Sequence, residues 1–426
     1  YEDKGYYNTE VNVTSEVDST SPRGDLILFF DIKKNDKMRI KEITFEGNNA
    51  LSDKTLKRAM KETKERKLWR FWKSSKFIEN NYESDLNLIV DKYNEEGFRN
   101  ARIIADTIFS AEENRLKIHI TVFEGDKFYF RNITWAGNTI FSSEELSRRL
   151  RIGKGDVYNK SQLEQNLIFD PGGLDITSMY IDNGYLFFNA TPVEILIEND
   201  SIDIEIRIIE GKQARIRNIS ISGNTTTNDH VILREIRTLP GNLFSRDDVM
   251  RTLNALRTLG YFNQETVNPN IMPNPQDETV DIEYQVEEAS TSRIELSGGV
   301  GGGTVLISAG LSFTNFSAKN LFKKGAWNPI PAGDGQHLSI NAQTNGTYYY
   351  SFSASFTEPW LGGKKPNALT VGAYYSFQNS SLWYSKDDPS YYHLKIIGAS
   401  ASLGKRLKWP DDYFTVMNGI SYKRYN

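Results

Sequence analysis

The stretch IKEITFEGN at residues 40–48 decides the fold, because the chain repeats its pattern twice. Residues 130–138 read FRNITWAGN, and residues 216–224 read IRNISISGN. Each copy alternates apolar and polar residues and ends in Gly-Asn, which predicts a strand followed by a turn. The glycines at positions 47, 137 and 223 are spaced too widely for a solenoid repeat. The spacing suits a small domain that occurs three times.

Each copy continues in the same way. A helix is predicted after the turn, and a second helix ends at Gly plus an aromatic residue, where glycine fits a helix C-cap. Two alternating runs follow, so the order β-α-α-β-β recurs. We expect a three-stranded sheet covered on one face by two helices. The first helices are predicted at 52–59, 142–150 and 228–236, the helix ends at 97–98, 184–185 and 260–261, and the last strands at 116–124, 202–210 and 280–287.

These patterns divide the chain into five segments. Residues 38–126, 127–213 and 214–289 each form one whole repeat. Residues 1–37 match the C-terminal part of an earlier repeat, so we expect the natural chain to begin before residue 1. In residues 290–426 the helical periodicity is lost, and apolar and polar residues alternate strictly.

The alternation after residue 289 predicts about seven strands of roughly ten residues. One face of each strand is apolar and the other carries Ser, Thr, Gly or Gln, while aromatic residues gather near the strand ends. This is typical of a membrane β-barrel. A soluble β-sandwich also alternates, but its exposed face would normally hold more Lys and Glu. The predicted strands are 293–300, 304–314, 336–344, 348–357, 368–378, 392–404 and 414–424.

Seven strands cannot close such a barrel, because an open edge in lipid leaves backbone groups unpaired. We therefore expect the natural chain to continue beyond Asn426, or other chains to supply strands. The turns at 315–335, 358–367 and 405–413 are expected on the side of the repeats. Those at 345–346 and 379–391 are expected on the other side.

Composition and charge argue against several kinds of site and of membrane segment. The 426 residues carry a net charge of −4 and no cysteine, which rules out disulfides and thiolate zinc sites. Residues 290–426 hold 13 Lys+Arg and 7 Asp+Glu, so the acidic excess lies in the repeats and argues against nucleic-acid binding there. No apolar run approaches about 18 residues, so no transmembrane helix and no signal peptide are predicted.

The repeats resemble the POTRA domain, the periplasmic repeat of outer-membrane assembly proteins. POTRA repeats that lead directly into a barrel resemble the BamA family of outer-membrane insertases. Two motifs add to this likeness. Glu358-Pro359-Trp360 is similar to the family's strand-end motif, and NLFKKG at 320–325 is similar to its Asn-Leu-Phe-Gly-x-Gly turn. Here Lys323 replaces the first glycine, and residues 326–335 lengthen the turn.

The resemblance implies α+β POTRA repeats followed by the N-terminal part of an antiparallel transmembrane barrel. It implies a non-enzymatic factor of the outer membrane, with its repeats in the periplasm. Such a factor folds unfolded outer-membrane proteins into the bilayer. The implied partners are those clients, accessory lipoprotein subunits of the BAM complex, periplasmic chaperones and outer-membrane lipid. No nucleic acid, cofactor or metal is expected.

Two physical devices would carry this function. The first is an edge strand in each POTRA sheet, which can capture an extended chain by strand addition. The candidate edges are Arg99–Phe109, Phe187–Leu196 and Phe262–Ile271, and the positions selected in them are Arg102, Ile104, Asn189, Val193, Thr266 and Val267.

The second device is a lateral gate at the first barrel strand. Glycine in a strand interior weakens pairing, so a glycine-rich first strand could open and pair with a client strand. The alternative is that the glycines only fit a tight hairpin. The candidate gate residues are Arg293, Ile294, Glu295, Leu296, Ser297, Gly298, Gly299 and Val300, followed by glycines at 301–303.

Two further segments have competing interpretations. Trp69, Phe71 and Trp72 are interleaved with lysine and arginine, which suggests docking to a lipid interface or a partner. The favoured alternative is that these rings cover their own helices while the lysines stay in water. The segment FDPGG at 169–173 could be a phosphate-binding loop, but no Gly-Lys-Ser/Thr follows, which favours a helix interruption.

Other function classes are less consistent with the residues. The four histidines, His119, His230, His337 and His393, lie far apart in sequence, and no His-Glu-x-x-His or Gly-x-Ser-x-Gly motif occurs. An enzyme is therefore not expected. A translocation and assembly module of the TamA type, or a two-partner secretion pore, normally has fewer repeats.

Overall fold

The computed structural model describes residues 1, 4–6, 9–17, 25–65, 75–112, 114–301, 304–327, 330–346, 348–381, 383–411 and 413–426. The chain divides into two compact units. One unit comprises residues 1–180 and 187–211, and the other comprises residues 181–186 and 212–426.

The first unit begins with an antiparallel hairpin and contains two repeats. The hairpin strands are β1 (Glu10–Val17) and β2 (Leu26–Lys33). The first repeat consists of β3 (Arg39–Glu46), α1 (Asp53–Ala59), α2 (Glu79–Glu95), β4 (Arg102–Glu112) and β5 (Arg115–Phe123). The second consists of β6 (Tyr129–Ala136), α3 (Ser143–Leu150), α4 (Lys160–Leu167), α5 (Ile176–Ile181), β7 (Asn189–Glu198) and β8 (Ser201–Ile209). The Pro-Gly-Gly segment therefore lies between two helices, as the interruption predicts.

The second unit holds the third repeat and the strand-rich region. The repeat consists of β9 (Arg215–Ser222), α6 (Asp229–Leu233), α7 (Arg246–Thr258), β10 (Asn268–Asn274) and β11 (Thr279–Gln285). The strand-rich region consists of β12 (Ser292–Gly301), β13 (Thr304–Phe316), β14 (Gln336–Thr344), β15 (Tyr349–Glu358), β16 (Asn367–Asn379), β17 (His393–Arg406) and β18 (Thr415–Tyr425).

All three repeats share one sheet topology. The last strand lies in the centre, pairs in parallel with the first strand and pairs antiparallel with the second. The second strand, β4, β7 or β10, is therefore an edge of its sheet. The predicted β-α-α-β-β fold is confirmed.

The Gly-Asn marker has a steric cause. Gly47 adopts φ 82°, and a Cβ placed there would lie 2.2 Å from the carbonyl oxygen of Val122 on the central strand. Only glycine allows both this φ and this approach. Asn48 then donates its amide to the carbonyl oxygen of Leu51 and to Asp53 Oδ1, both at 2.9 Å, which fixes the turn into α1. The same arrangement recurs at the other two markers.

Each repeat is stabilised by apolar side chains between its sheet and its helices. In the third repeat, Ile216 and Ile282 of the sheet pack with Leu253 and Leu256 of α7 in one buried cluster. Burying one such side chain contributes about 1.5–3 kcal/mol. Ile40 and Ile118 meet Ile89 of α2 in the equivalent cluster of the first repeat.

The strands β12 to β18 form one antiparallel sheet in sequence order. Every predicted strand of this region occurs, with ends within two residues of those observed. Among the described residues, none of the helices combines the length and apolar character needed to span a membrane.

Candidate strand-pairing edges and the junction of repeat and sheet

The edge strand of the first repeat, β4, is eleven residues long and contains no proline. Within the described residues it pairs with β5 alone. Predicted edge residue Arg102 opens the strand, and its guanidinium lies 4.3 Å from the ring centroid of Phe123. Ile104 lies at a break in register and is 60% exposed. Between this break and another after Ser110, the strand keeps a regular ladder that another chain could extend.

The edge strand of the second repeat, β7, is interrupted. It contains Asn189 and Val193 as predicted, but Pro192 lies between them. Proline has no N–H to donate, so an added strand would lose one hydrogen bond there. A second interruption follows, because the register shifts between Glu194 and Leu196.

Glu194 also ties β7 to the first repeat. Its carboxylate accepts hydrogen bonds from Arg99 Nη2 at 2.5 Å and from the Tyr158 hydroxyl at 2.6 Å. Burial alone would raise the pKa of Glu194, but these two donors outweigh burial and hold the pKa below its ordinary value. The middle of β7 is therefore engaged within the molecule.

The edge strand of the third repeat corrects one prediction. It begins at Asn268, so Thr266 and Val267 precede it. The Val267 side chain is fully buried and packs in the core of the repeat, where an added strand could not reach it. Its position in an alternating run suggested an edge, but core packing uses it instead. The short strand itself contains Pro269 and Pro273.

The first strand of the large sheet, β12, pairs with β13 over its whole length, from Ser292 opposite Phe313 to Gly301 opposite Thr304. Within the described residues β12 has no second neighbour. The predicted gate residues Arg293–Val300 all lie on it, and Arg293 and Glu295 form an exposed ion pair at 3.6 Å. Ser297 Oγ lies 2.6 Å from Ser308 Oγ across the pair.

The glycines of β12 are not required by packing against described neighbours. A Cβ added at Gly299 would meet nothing within 4 Å, and one added at Gly298 would meet only the Leu306 carbonyl oxygen at 3.8 Å. Neither glycine has a positive φ. Gly302 and Gly303, which would form the hairpin, lie outside the described residues.

The aromatic docking candidates Trp69, Phe71 and Trp72 also lie outside the described residues. The docking hypothesis for that segment stays a prediction.

The Glu-Pro-Trp motif connects the large sheet to the third repeat. Trp360 donates its indole N–H to Glu235 Oε1 at 2.6 Å, and Arg234 lies 5.6 Å from the Trp360 ring centroid. Glu358 Oε1 accepts a hydrogen bond from the Trp360 backbone N–H at 3.0 Å, which shapes the turn. Arg406, at the end of β17, lies 3.9 Å from the second oxygen of Glu235.

The turn between β13 and β14 forms the other half of this junction. Asn228, at the start of α6, donates its amide to the Gly333 carbonyl oxygen at 2.9 Å and to Asp334 Oδ1 at 3.0 Å. The Tyr261 hydroxyl donates to the Gly335 carbonyl oxygen at 2.8 Å, and burial raises its pKa to about 12. A Cβ at Gly333 would lie 2.6 Å from the Thr226 carbonyl oxygen, so this contact depends on glycine.

Asp334 is a buried charge of the junction, as is Glu235, and only 7% of the Asp334 side chain is exposed. Burial would raise its pKa, but hydrogen bonds from Ser317 and Lys319 outweigh that effect and lower the pKa. Ser317 Oγ lies at 2.5 Å and Lys319 Nζ at 3.0 Å. Asp334 thus remains ionised and holds the turn against α6.

Sequence reasoning identified Glu358 and Trp360 but missed Glu235, Asn228 and Asp334. Asn228 and Glu235 lie in the helix predicted at 228–236 and Asp334 in the turn predicted at 315–335, but no sequence pattern pairs the helix with the turns. The contacts place the turns after β13, β15 and β17 at the third-repeat end of the sheet, where they are expected. Arg251 of α7 also lies 5.5 Å from the ring centroid of Tyr413 in the last of these turns.

No group of three or more His, Asp or Glu side chains among the described residues is arranged to hold a metal ion. His119 contacts Thr44 and Glu46 on neighbouring β3, at 3.0 and 3.1 Å. His337 lies near the Tyr261 ring at the junction. His230 lies at the same junction, 3.7 Å from Asp334, whereas His119 belongs to the sheet of the first repeat.

Comparisons with known proteins agree with this architecture. Residues 38–125, 128–211 and 214–289 match the POTRA family, described as a surface antigen variable number repeat, and residues 332–426 match the Omp85 superfamily domain. A putative outer membrane protein assembly factor of Treponema pallidum (strain Nichols) is 29% identical over 394 residues, which cover 90% of this chain and 43% of that protein. The outer membrane protein assembly factor BamA of Neisseria meningitidis serogroup B is 28% identical over 345 residues, which cover 80% of this chain and 40% of that protein.

A solved structure supports the fold. BamA from Haemophilus ducreyi lacking POTRA domains 1–3 matches with a TM-score of 0.53 at 23% identity, over 70% of this chain and 51% of that chain. The chain spans less than half the length of the curated relatives described above. The POTRA matches together cover more than half of the chain, and the chain therefore belongs to the POTRA family, with an Omp85 superfamily domain after its repeats.

Proposed function

We propose that this chain acts in the assembly of outer-membrane proteins. It receives unfolded clients at its repeats and starts their insertion at the seven-stranded sheet β12–β18. The curated relatives carry the name of outer membrane protein assembly factor. The chain is a protein of the outer membrane, with its POTRA repeats in the periplasm.

The proline-free edge of β4, with its regular ladder between the two register breaks, supports the receiving step. A client segment that adds antiparallel or parallel to β4 would gain backbone hydrogen bonds without needing a defined sequence. Pro192 in β7 and two prolines in β10 make the other edges poorer templates. We therefore assign capture of extended chains chiefly to the first repeat.

The composition of β12 supports the insertion step. Gly298 and Gly299 lower the stability of the strand. No described neighbour lies close enough to exclude a larger side chain at either position. In a closed barrel the outer edge of β12 would meet the final strand, and a seam that separates there at small cost can offer the β12 backbone to a client strand. Pairing then proceeds by hydrogen bonds, without covalent chemistry, so the protein is not an enzyme and uses no cofactor.

Partners follow from the same reasoning. Unfolded outer-membrane proteins are the clients. Accessory subunits of a BAM complex and periplasmic chaperones are proposed as partners at the repeats. No specific observation favours a TamA-type module or a two-partner secretion pore.

A proline scan of β4 tests the receiving step. Neighbouring backbone N–H groups on a strand point to opposite sides, so one of Asp106→Pro and Thr107→Pro breaks the ladder to β5 and the other removes only an outward donor. The melting temperature of each variant identifies which is which, and Asp106→Ala controls for the side chain that contacts the Tyr82 hydroxyl.

The protein is reconstituted in bilayer vesicles, and the folding of a urea-unfolded barrel client is followed by heat-modifiable mobility. The variant that keeps the wild-type melting temperature should insert its client about fivefold more slowly, since one lost hydrogen bond is worth about 1 kcal/mol. An unchanged rate in that variant contradicts capture at β4.

A further inference from the structure

The turns at the third-repeat end of the sheet share a charge pattern that the assembly function does not use. The first two turns each contain two adjacent basic residues, Lys323-Lys324 and Lys364-Lys365, and a third pair, Lys405-Arg406, ends β17 just before the last turn. Together, residues 317–335, 358–366 and 405–414 hold eight Lys and Arg against four Asp and Glu. At the opposite end, residues 345–348 and 380–392 hold one Lys and two Asp.

The acidic side chains in the first two of these turns are engaged internally, whereas the paired lysines are not. Asp334 is buried against Ser317 and Lys319, and Glu358 accepts a hydrogen bond from Gln336. Lys323, Lys324, Lys364 and Lys365 are exposed. None of these four forms an ion pair within the part of the chain that the structure describes. The free charge of the two turns is therefore positive.

Exposed apolar side chains accompany these lysines. Phe322 is 94% exposed and Trp327 is 57% exposed, although both lie in a turn flanked by paired strands. Trp327 satisfies its indole N–H internally, by donating to the Leu321 carbonyl oxygen at 3.0 Å. Its ring is therefore left free to meet an apolar surface. In the neighbouring turn, Leu361 is 44% exposed beside the second lysine pair.

The two halves of the first turn have different roles. Residues 331–335 are held against the third repeat by hydrogen bonds. Among the described residues, 321–327 make no hydrogen bond to that repeat. Strands of a membrane sheet enter the bilayer directly beside these turns. Aromatic rings settle at the level of the lipid headgroups, and lysines beside them attract anionic headgroups.

The structure assigns the turns at 320–327 and 361–365 as a docking surface for anionic phospholipid in the membrane leaflet on the repeat side. Phe322 and Trp327 would sit at the boundary between acyl chains and headgroups, while Lys323, Lys324 and the lysines of the next turn would contact lipid phosphates. This inference rests on the outer-membrane location and goes beyond assembly activity. It would hold even if the strand-pairing proposal failed.

The chain has no cysteine, so single cysteines can report the surroundings of chosen residues. The protein is reconstituted in phosphatidylcholine vesicles with or without one-third phosphatidylglycerol, carrying a nitroxide at Phe322→Cys. Gln276→Cys, in an exposed turn of the third repeat, is the matched control. Power saturation compares collisions with oxygen, which dissolves in lipid, and with a water-soluble nickel chelate.

The label at residue 322 should collide mainly with oxygen, and the label at residue 276 mainly with nickel. In vesicles containing phosphatidylglycerol, K323Q and K324Q should each raise the ratio of nickel to oxygen collisions at residue 322 about fivefold. Neither substitution should change this ratio in neutral vesicles. Nickel collisions at residue 322 equal to the control overturn the proposal. Low collision rates with both reagents would indicate a protein partner and also overturn it. Lipid contact without dependence on the lysines or on phosphatidylglycerol refutes the anionic specificity. Client insertion, measured separately, tests the proposed function alone.

Discussion

Trp360 Nε1 donates to Glu235 Oε1 at 2.6 Å, joining the turn after β15 to the short helix α6 of the third repeat. Glu235 is 9% exposed, and its second oxygen faces Arg406 at 3.9 Å. A buried carboxylate needs such donors, because an unpaired one is costly. The family motif thus acts as a contact between two domains in addition to shaping a turn.

The first prediction concerns this contact. Trp360→Phe keeps an aromatic ring beside Arg234 but removes the donor to Glu235. We expect it to lower the free energy of unfolding of α6 by about 1–3 kcal/mol, measured by amide hydrogen exchange. In a double-mutant cycle with Glu235→Ala, which removes the acceptor, the two losses should not add, since both variants break one interaction. Trp383→Phe, at an exposed site at the other end of the sheet, should have no effect on α6. Additive losses would contradict the pairing.

The second prediction uses the unusual role of Asn228. This residue precedes α6, where aspartate is normally an equally good N-cap. Here the side chain makes no cap hydrogen bond and donates instead to Gly333 and Asp334. Asn228→Asp should therefore destabilise the junction by roughly 1–3 kcal/mol, because a carboxylate cannot donate and would face the Asp334 carboxylate.

Hydrogen exchange of the turn at 331–335 checks this effect. Asn254→Asp, at an exposed position of α7, is a control that makes the same change of side chain away from Asp334. If Asn228→Asp protects α6 as an ordinary cap does and leaves the turn unchanged, the assigned role is wrong.

These junction residues show where sequence reasoning ends. The Gly-Asn turns and the seven strands were predictable, because a Gly-Asn pair after an apolar strand and a two-residue alternation are local signals. Glu235 and Trp360 are 125 residues apart, and no local pattern encodes their pairing. Val267 was wrongly assigned to an edge strand. Alternation alone does not show whether a residue just before a strand packs in the core or belongs to the strand.

The third prediction concerns pH. Donors from Arg99 and Tyr158 hold the pKa of Glu194 below the ordinary value of 4.5. A lowered folded-state pKa means that the ionised carboxylate stabilises the fold fully above that ordinary value. The contribution is lost as the pH falls through the folded-state pKa. Between pH 7 and pH 3, Glu194→Gln should therefore lose less stability than the wild type.

Chemical denaturation of the first unit at each pH measures the difference. Glu62→Gln, at an exposed position of the first repeat, is the control and should follow the wild type. Parallel pH profiles for Glu194→Gln and the wild type would show that this contact does not contribute to acid sensitivity.

The last prediction tests the proposed gate at β12. Alanine at Gly298 and Gly299 meets no close atom among the described residues, so the double variant should fold. Each replacement should strengthen the strand by about 0.5–1 kcal/mol, because alanine loses less conformational entropy than glycine. The gate hypothesis places the seam between β12 and the final strand of the closed barrel. If β12 must separate from that strand to pair with clients, this added stability should slow client insertion severalfold while raising the melting temperature. Gly404→Ala in β17, where a Cβ makes only ordinary contacts at 3.6 Å, is the matched control and should leave the rate unchanged. Equal insertion rates in the double variant and the wild type, with the expected rise in melting temperature, would show that the glycines of β12 do not serve opening.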